Sequence, residues 1–279
     1  MLSEAQLKEK LQSLAENQFK ISDDDLPTLV WEMVNHLGAA DSYLRDDLIY
    51  AAFGMWILEY DLIEQDLLRE LLHTVLSEQQ MFHGVGEQNT NSVFRRSFSV
   101  LLLPLILINH RANPFLPVAD VYKIKEQLLR YLQEEKDLRG FVEGMGWAHA
   151  IAHAADALDD LAQCSEITKD DLLDLLEGIR MVVCTYATGY ASLEDERLVT
   201  AAVAVFQRKL LSDEEIAAWL TGFSQTVLSV DTMPEKLLIR ANVKNFLQSL
   251  FFRLQWLQVA NDILPTIEQT LRKIDLFAQ

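Results

Sequence analysis

Cysteine is nearly absent from this chain. Only Cys164 and Cys184 occur in 279 residues, in helical patterns and without a CxxC pair. No ladder of cysteine spacings suggests a disulfide framework, and a reducing cytoplasm is the expected compartment. Glycine and proline are scarce, ten and six, and fall between apolar-periodic blocks. No stretch alternates with period two for long, so no strand is expected. Long apolar runs are missing too. The most apolar, Val100 to Ile108, is interrupted by Pro104. It is far short of the ~20 residues that span a bilayer, and it reads as a buried helix. The start, MLSEAQLKEKLQ, is a polar helix rather than a basic stretch followed by an apolar one, which is not a secretory signal pattern. Positive charge is in deficit: 24 Lys and Arg face 42 Asp and Glu, for a net charge of -18 and a pI near 4.7. That opposes nucleic acid, which is held by neutralising phosphates, and anionic membrane surfaces. No P-loop, Rossmann fingerprint, zinc-finger spacing or GxSxG elbow is present.

What the chain does have is helix. Half the residues are hydrophobic, enough for a large core. Ser3 with Gln6 and Ser212 with Glu215 match the capping box, in which two side chains satisfy exposed helix-start amides. Asp23 to Asp25 open a second helix, and Thr168 caps a later one that Gly189 closes. Pro265 sits in the first turn of the last helix, where a missing N–H does least harm. Trp31, Trp56, Trp219 and Trp256 lie at helical spacing among apolar residues and are expected in the core. The runs EEKD and DDLLDLLE read as solvated faces.

About twelve helices joined by short loops result, and they pair as antiparallel hairpins. Every second helix begins near residues 41, 91, 141, 193 and 235. That spacing is close to the ~40–47-residue period of HEAT and armadillo repeats. The expected fold is one all-α domain over residues 1–279, its hairpins stacked as a HEAT-like superhelix or curled towards an α/α toroid. The odd helices are nearly uncharged along their length, as inner-layer helices are. Polar residues collect at their starts: Arg45 and Asp46, Arg95 and Arg96, Trp147 and His149, Asp195 and Arg197. Acids there stabilise the positive end of a helix dipole wherever it lies. The arginines lack that explanation. A shared ligand site on the inner surface provides one, and pairing of each arginine with a local acid provides another.

Gly140 to Leu161 is the most distinctive stretch. His149 and His153 are four residues apart among alanines, one helical turn, and Asp156 follows. Helical His at i and i+4 can share a divalent ion, with a carboxylate completing the set. His149, His153 and Asp156 are the candidate ligands, with His110 or Asp46 as contributors from another helix. The Glu of an HExxH site is absent; position 150 is Ala150. Packed structural histidines are the alternative. An acid–base or hydrolytic site would use His153 as base, Asp156 to orient it and Ser97 as nucleophile. Arg45, Arg96, Arg139 and Arg197 could together hold a small phosphate or carboxylate ligand. Helical repeats present surfaces to protein partners without special residues, so a cytoplasmic binding or scaffold module is the leading expectation. A metal-assisted or acid–base enzyme is the second.

The stretches RDDLIYAAF, TNSVFRRSFSVLLL, DLRGFVEGMGWAHAIAHAADALDDL and EDERLV resemble a bacterial family, met mostly in Firmicutes, known as domain of unknown function number 2785. The resemblance runs from about residue 20 to 270. Its most specific block is Gly146 to Asp156. It implies an all-helical protein and brings no established activity. It makes Arg45, Asp46, Asn91, Arg96, Ser97, Arg139, Trp147, His149, His153, Asp156, Asp195 and Arg197 the distinctive positions.

Overall fold

A computed structural model describes residues 2–21 and 26–277. The expected opening of the second helix at Asp23 to Asp25 lies outside them. The fold is all-α: among the described residues there are twelve helices, and 68% of those residues are helical. They are α1 Glu4–Glu16, α2 Leu26–Asn35, α3 over residues 43–59, α4 Gln65–Val75, α5 Ser92–Ala112, α6 Val118–Glu134, α7 Ala150–Ala162, α8 Lys169–Val183, α9 Glu194–Gln207, α10 Asp213–Ser229, α11 Glu235–Leu257 and α12 Leu264–Ile274. Helix α3 is irregular. Tyr43–Tyr50 and Met55–Glu59 are π-helical around a short α-helical turn, Ala51–Gly54.

All three capping boxes have both reciprocal bonds: Ser3 with Gln6, Thr168 with Asp171 and Ser212 with Glu215. Helix α8 stops at Val183, short of Gly189. The intervening segment is instead pinned from α11. Buried Asn242 donates to the carbonyls of Thr185 and Thr188 and accepts from the Tyr190 amide, which gives those backbone groups partners without a helix. Helix α5 runs unbroken through Pro104. It is long and apolar enough to cross a membrane, but 78% of its most apolar window is buried inside the protein.

The chain divides into two compact units, Met1–Ala157 and Leu158–Gln279. In the first, α1 packs on α3, α3 on α5 and α4 on α5. Arg69 and His73 of α4 hold Asp120 of α6, at 2.6 and 3.0 Å. Trp56 is fully buried and donates to the Phe19 carbonyl. In the second, α8 packs on α10 and α10 on α12, while α9 packs on α8 and on α11. Arg208 seals the chain after α7 by donating to the carbonyls of Ala162, Cys164 and Ile167, where a cation also meets the negative end of the helix dipole.

Three expectations need correcting. Gly140 to Leu161 is not one helix. Phe141–Val142 (β1) and Gly146–Trp147 (β2) form an antiparallel hairpin, and α7 begins only at Ala150. Gly144 and Gly146 take φ of +73° and +79°, which no helix accommodates. Trp256 is not a core residue: it is 73% exposed, while Trp56 and Trp219 are buried. The EEKD run is not a solvated face, since Glu135 and Asp137 are 3% and 2% exposed.

Candidate functional site

The hairpin is the most distinctive surface of the first unit. Phe141 and Trp147 are directly paired across β1 and β2, so their side chains share one face. Both are exposed, and their rings meet edge to face at 5.0 Å. The indole of Trp147 stacks on the His149 imidazole at 4.2 Å. His149 meets His153 edge-on at 5.8 Å, and His153 meets Phe98 of α5 at 5.0 Å. A column of rings therefore runs from solvent into the core.

Arg45 closes the inner end of that column. Its guanidinium lies 4.2 and 4.7 Å from the ring centres of Phe94 and Phe98, a cation–π arrangement away from water. The side chain is fully buried. Nη1 donates to the Ala39 carbonyl at 2.6 Å, and Nη2 to the carbonyls of Met145 at 2.8 Å and Trp147 at 3.4 Å. Arg45 thus grips the hairpin by its backbone. Gly146 makes the approach feasible: a Cβ there would lie 2.6 Å from Ser42 Cβ and 3.2 Å from Arg45 Nη2.

Asp46 is the acid beside this clamp. Its Oδ1 is 3.1 Å from Arg45 Nε, an ion pair without hydrogen-bond alignment. Burial pushes the Asp46 carboxyl up to about 6; Arg45 offsets part of this and Asp47 adds to it. Burial also pulls Arg45 below its ordinary value.

Arg96 and Arg139 belong to a second network. Arg96 forks onto Glu135, with Nε to Oε2 at 2.7 Å and Nη2 to Oε1 at 3.0 Å, and both side chains are fully buried. Its Nη1 donates to the carbonyls of His83 and Gly84 and to Ser92 Oγ. Glu135 also accepts the backbone amides of Lys136 and Asp137. Asp137 takes the Asn89 amide and the Arg139 guanidinium, and Arg139 reaches the Thr90 carbonyl. The network ties the 83–91 loop to the segment after α6. Next to it, burial raises the Tyr131 hydroxyl well above its ordinary value.

The histidines differ from a helical pair. His149 sits just before α7 with φ of 46°, and its carbonyl accepts from the His153 amide. Only His153 lies within α7. Its Nδ1 is 3.2 Å from the Ser97 carbonyl oxygen, so that nitrogen carries the proton. Ser97 Oγ donates to the Phe94 carbonyl and is fully buried. His110 Nδ1 accepts the amides of Phe115 and Leu116. Asp156 is half-buried on α7. Among the described residues no group of three or more His, Cys, Asp or Glu is placed to hold a metal ion.

The structure therefore joins Arg45, Asp46, Trp147, His149 and His153 in one column, and Arg96 with Arg139 in another network. Asp195 and Arg197 lie in the second unit. There Asp195 is half-buried at the start of α9, its carboxyl raised by burial, and Arg197 is exposed. Phe141 went unnoticed in the sequence, and Glu135 and Asp137 were read there as part of a solvated face. Alternate residues of an extended segment share a side, and Glu135, Asp137 and Arg139 follow that spacing.

An all-α protein with a clamped aromatic hairpin is thus defined. Its chain belongs to the family described as Protein of unknown function (DUF2785), which matches residues 81–252. No curated protein and no solved structure matches the chain.

Proposed function

We propose that this protein is a cytoplasmic binding module of HEAT-like helix pairs, and that its contact surface is the hairpin carrying Phe141 and Trp147. One observation carries the reading. Two large aromatic side chains stand in solvent on a backbone that Arg45 holds from inside. Rigid exposed aromatics are the usual anchors of protein interfaces, because they bury area at small entropic cost. The helix-skipping contacts within each unit support the HEAT-like stacking. A protein segment is the favoured partner over a small anion, because Arg45, Arg96 and Arg139 direct their N–H groups to backbone carbonyls and carboxylates.

The test is a photo-crosslinking amino acid at position 141 in growing cells. The expected result is one discrete adduct that Trp147→Ala abolishes without changing the melting temperature. Absence of any adduct, or one indifferent to Trp147, overturns the assignment.

Acid–base catalysis is the second reading, favoured by the Asp46 carboxyl near 6. A general acid or base works best with a pKa close to the working pH. Turnover of a substrate with a pH profile that Asp46→Asn removes would establish it.

A further inference from the structure

The exposed stripe of α11 belongs to neither network. Ala241, Asn245, Gln248, Phe252, Gln255 and Trp256 are all exposed. Their spacing of three, four or seven residues sets them along one face. Val243, Phe246, Leu250 and Leu254, on the opposite face, are buried, where α11 packs on α9 and α12. Phe252 and Trp256 are 48% and 73% exposed, and their rings stack at 6.0 Å. Leu257 extends the patch. Isolated apolar residues on a surface are ordinary; a stacked Phe–Trp pair with a leucine beside it marks a contact site. Among the described residues, nothing covers this one.

Charge selects the occupant. The whole chain carries -18, yet residues 235–279 hold six Lys and Arg against four Asp and Glu, and the stripe itself holds no charge. Of the cations that flank it, Lys244 pairs with Asp275 at 3.2 Å and Arg253 with Glu196 at 2.6 Å. Two copies of a chain this acidic repel each other over most of their surface. This stripe is where they meet without that cost, and an uncharged patch is complementary to itself, as a two-fold contact requires.

We propose that the protein pairs with a second copy of itself through this face of α11, with the Phe252–Trp256 stack of each copy against that of the other. Sedimentation velocity from roughly 1 to 100 µM, the range in which such contacts show, tests it. The wild-type chain should pass from 31.9 kDa to twice that mass. A Phe252→Gln, Trp256→Gln variant should stay monomeric with the same melting temperature, and Trp256→Phe should still dimerise. A wild-type chain monomeric throughout overturns the proposal, as does a dimer that survives the double substitution. So does a monomer that instead floats with phosphatidylcholine vesicles through Trp256, since the face would then be a membrane contact. Trp147→Ala should leave the dimer intact, which separates this test from that of the hairpin.

Discussion

Arg45 donates from Nη2 to the carbonyl oxygen of Met145, 2.8 Å away and 100 residues further along the chain. That bond explains why an arginine is buried in an apolar core. Three backbone carbonyls and two phenyl rings replace its hydration. Arg45→Met leaves those carbonyls without donors, at about 1–3 kcal/mol for each buried group. Chemical denaturation should show a loss of about 3–5 kcal/mol. Arg45→Lys should recover little, because one ammonium group cannot reproduce the fork that reaches both Ala39 and Met145. A lysine variant of native stability would refute the clamp.

Gly146→Ala should be costly and Gly144→Ala mild. Both glycines have positive φ, +79° and +73°, but only at position 146 does a Cβ meet atoms within 4 Å. The left-handed backbone alone costs roughly 1–2 kcal/mol. Overpacking against Ser42 and Arg45 adds about 1–3 kcal/mol. Thermal melts of the two variants isolate the steric part by difference, and equal losses would show that the hairpin is free to move away from α3.

Glu135→Gln should destabilise by about 3–5 kcal/mol, because it strands the buried Arg96 charge. Replacing both members, Arg96→Met with Glu135→Leu, should recover part of that loss. The recovery stays incomplete because Glu135 also accepts two backbone amides. A double variant no better than the single one would mean that those amides, and not the charge pair, dominate. Urea denaturation of the three proteins gives the answer.

Asp46 gives the stability a pH dependence of known sign. Its folded value, about 6, lies above the ordinary 3.8. Between those values the folded protein holds a proton that the unfolded chain has released, so stability falls as pH rises through this window. It is flat above about 6 and fully recovered below 3.8. The whole interval corresponds to at most roughly 3 kcal/mol, reduced by solvent screening of this partly exposed carboxylate. Asp46→Asn should lack this component, so wild type should lose stability relative to the variant from pH 4 to 6. Parallel stability–pH curves for the two proteins would exclude it.

The helices were written locally, and the sequence alone determined them. Apolar residues recurring every three or four positions, the Ser3, Thr168 and Ser212 caps and the Pro265 start depend only on neighbours within a turn or two. The family resemblance was legible for a similar reason, since its distinctive block, Gly146 to Asp156, is continuous. The hairpin within Gly140 to Leu161 was also local, but the alanine–histidine period masked the glycines that break the helix. What tertiary structure alone decided is where each charge goes. Arg45 and Arg96 look alike in sequence, polar residues at the starts of apolar helices. One is solvated by the carbonyls of a hairpin 100 residues away and the other by Glu135. Likewise Trp56 and Trp256 sit in similar helical patterns. Trp56 meets the Phe19 carbonyl in the core, whereas Trp256 stacks on Phe252 on the exposed face of α11. Partners that distant leave no local period, so burial and charge pairing emerge only when the helices pack.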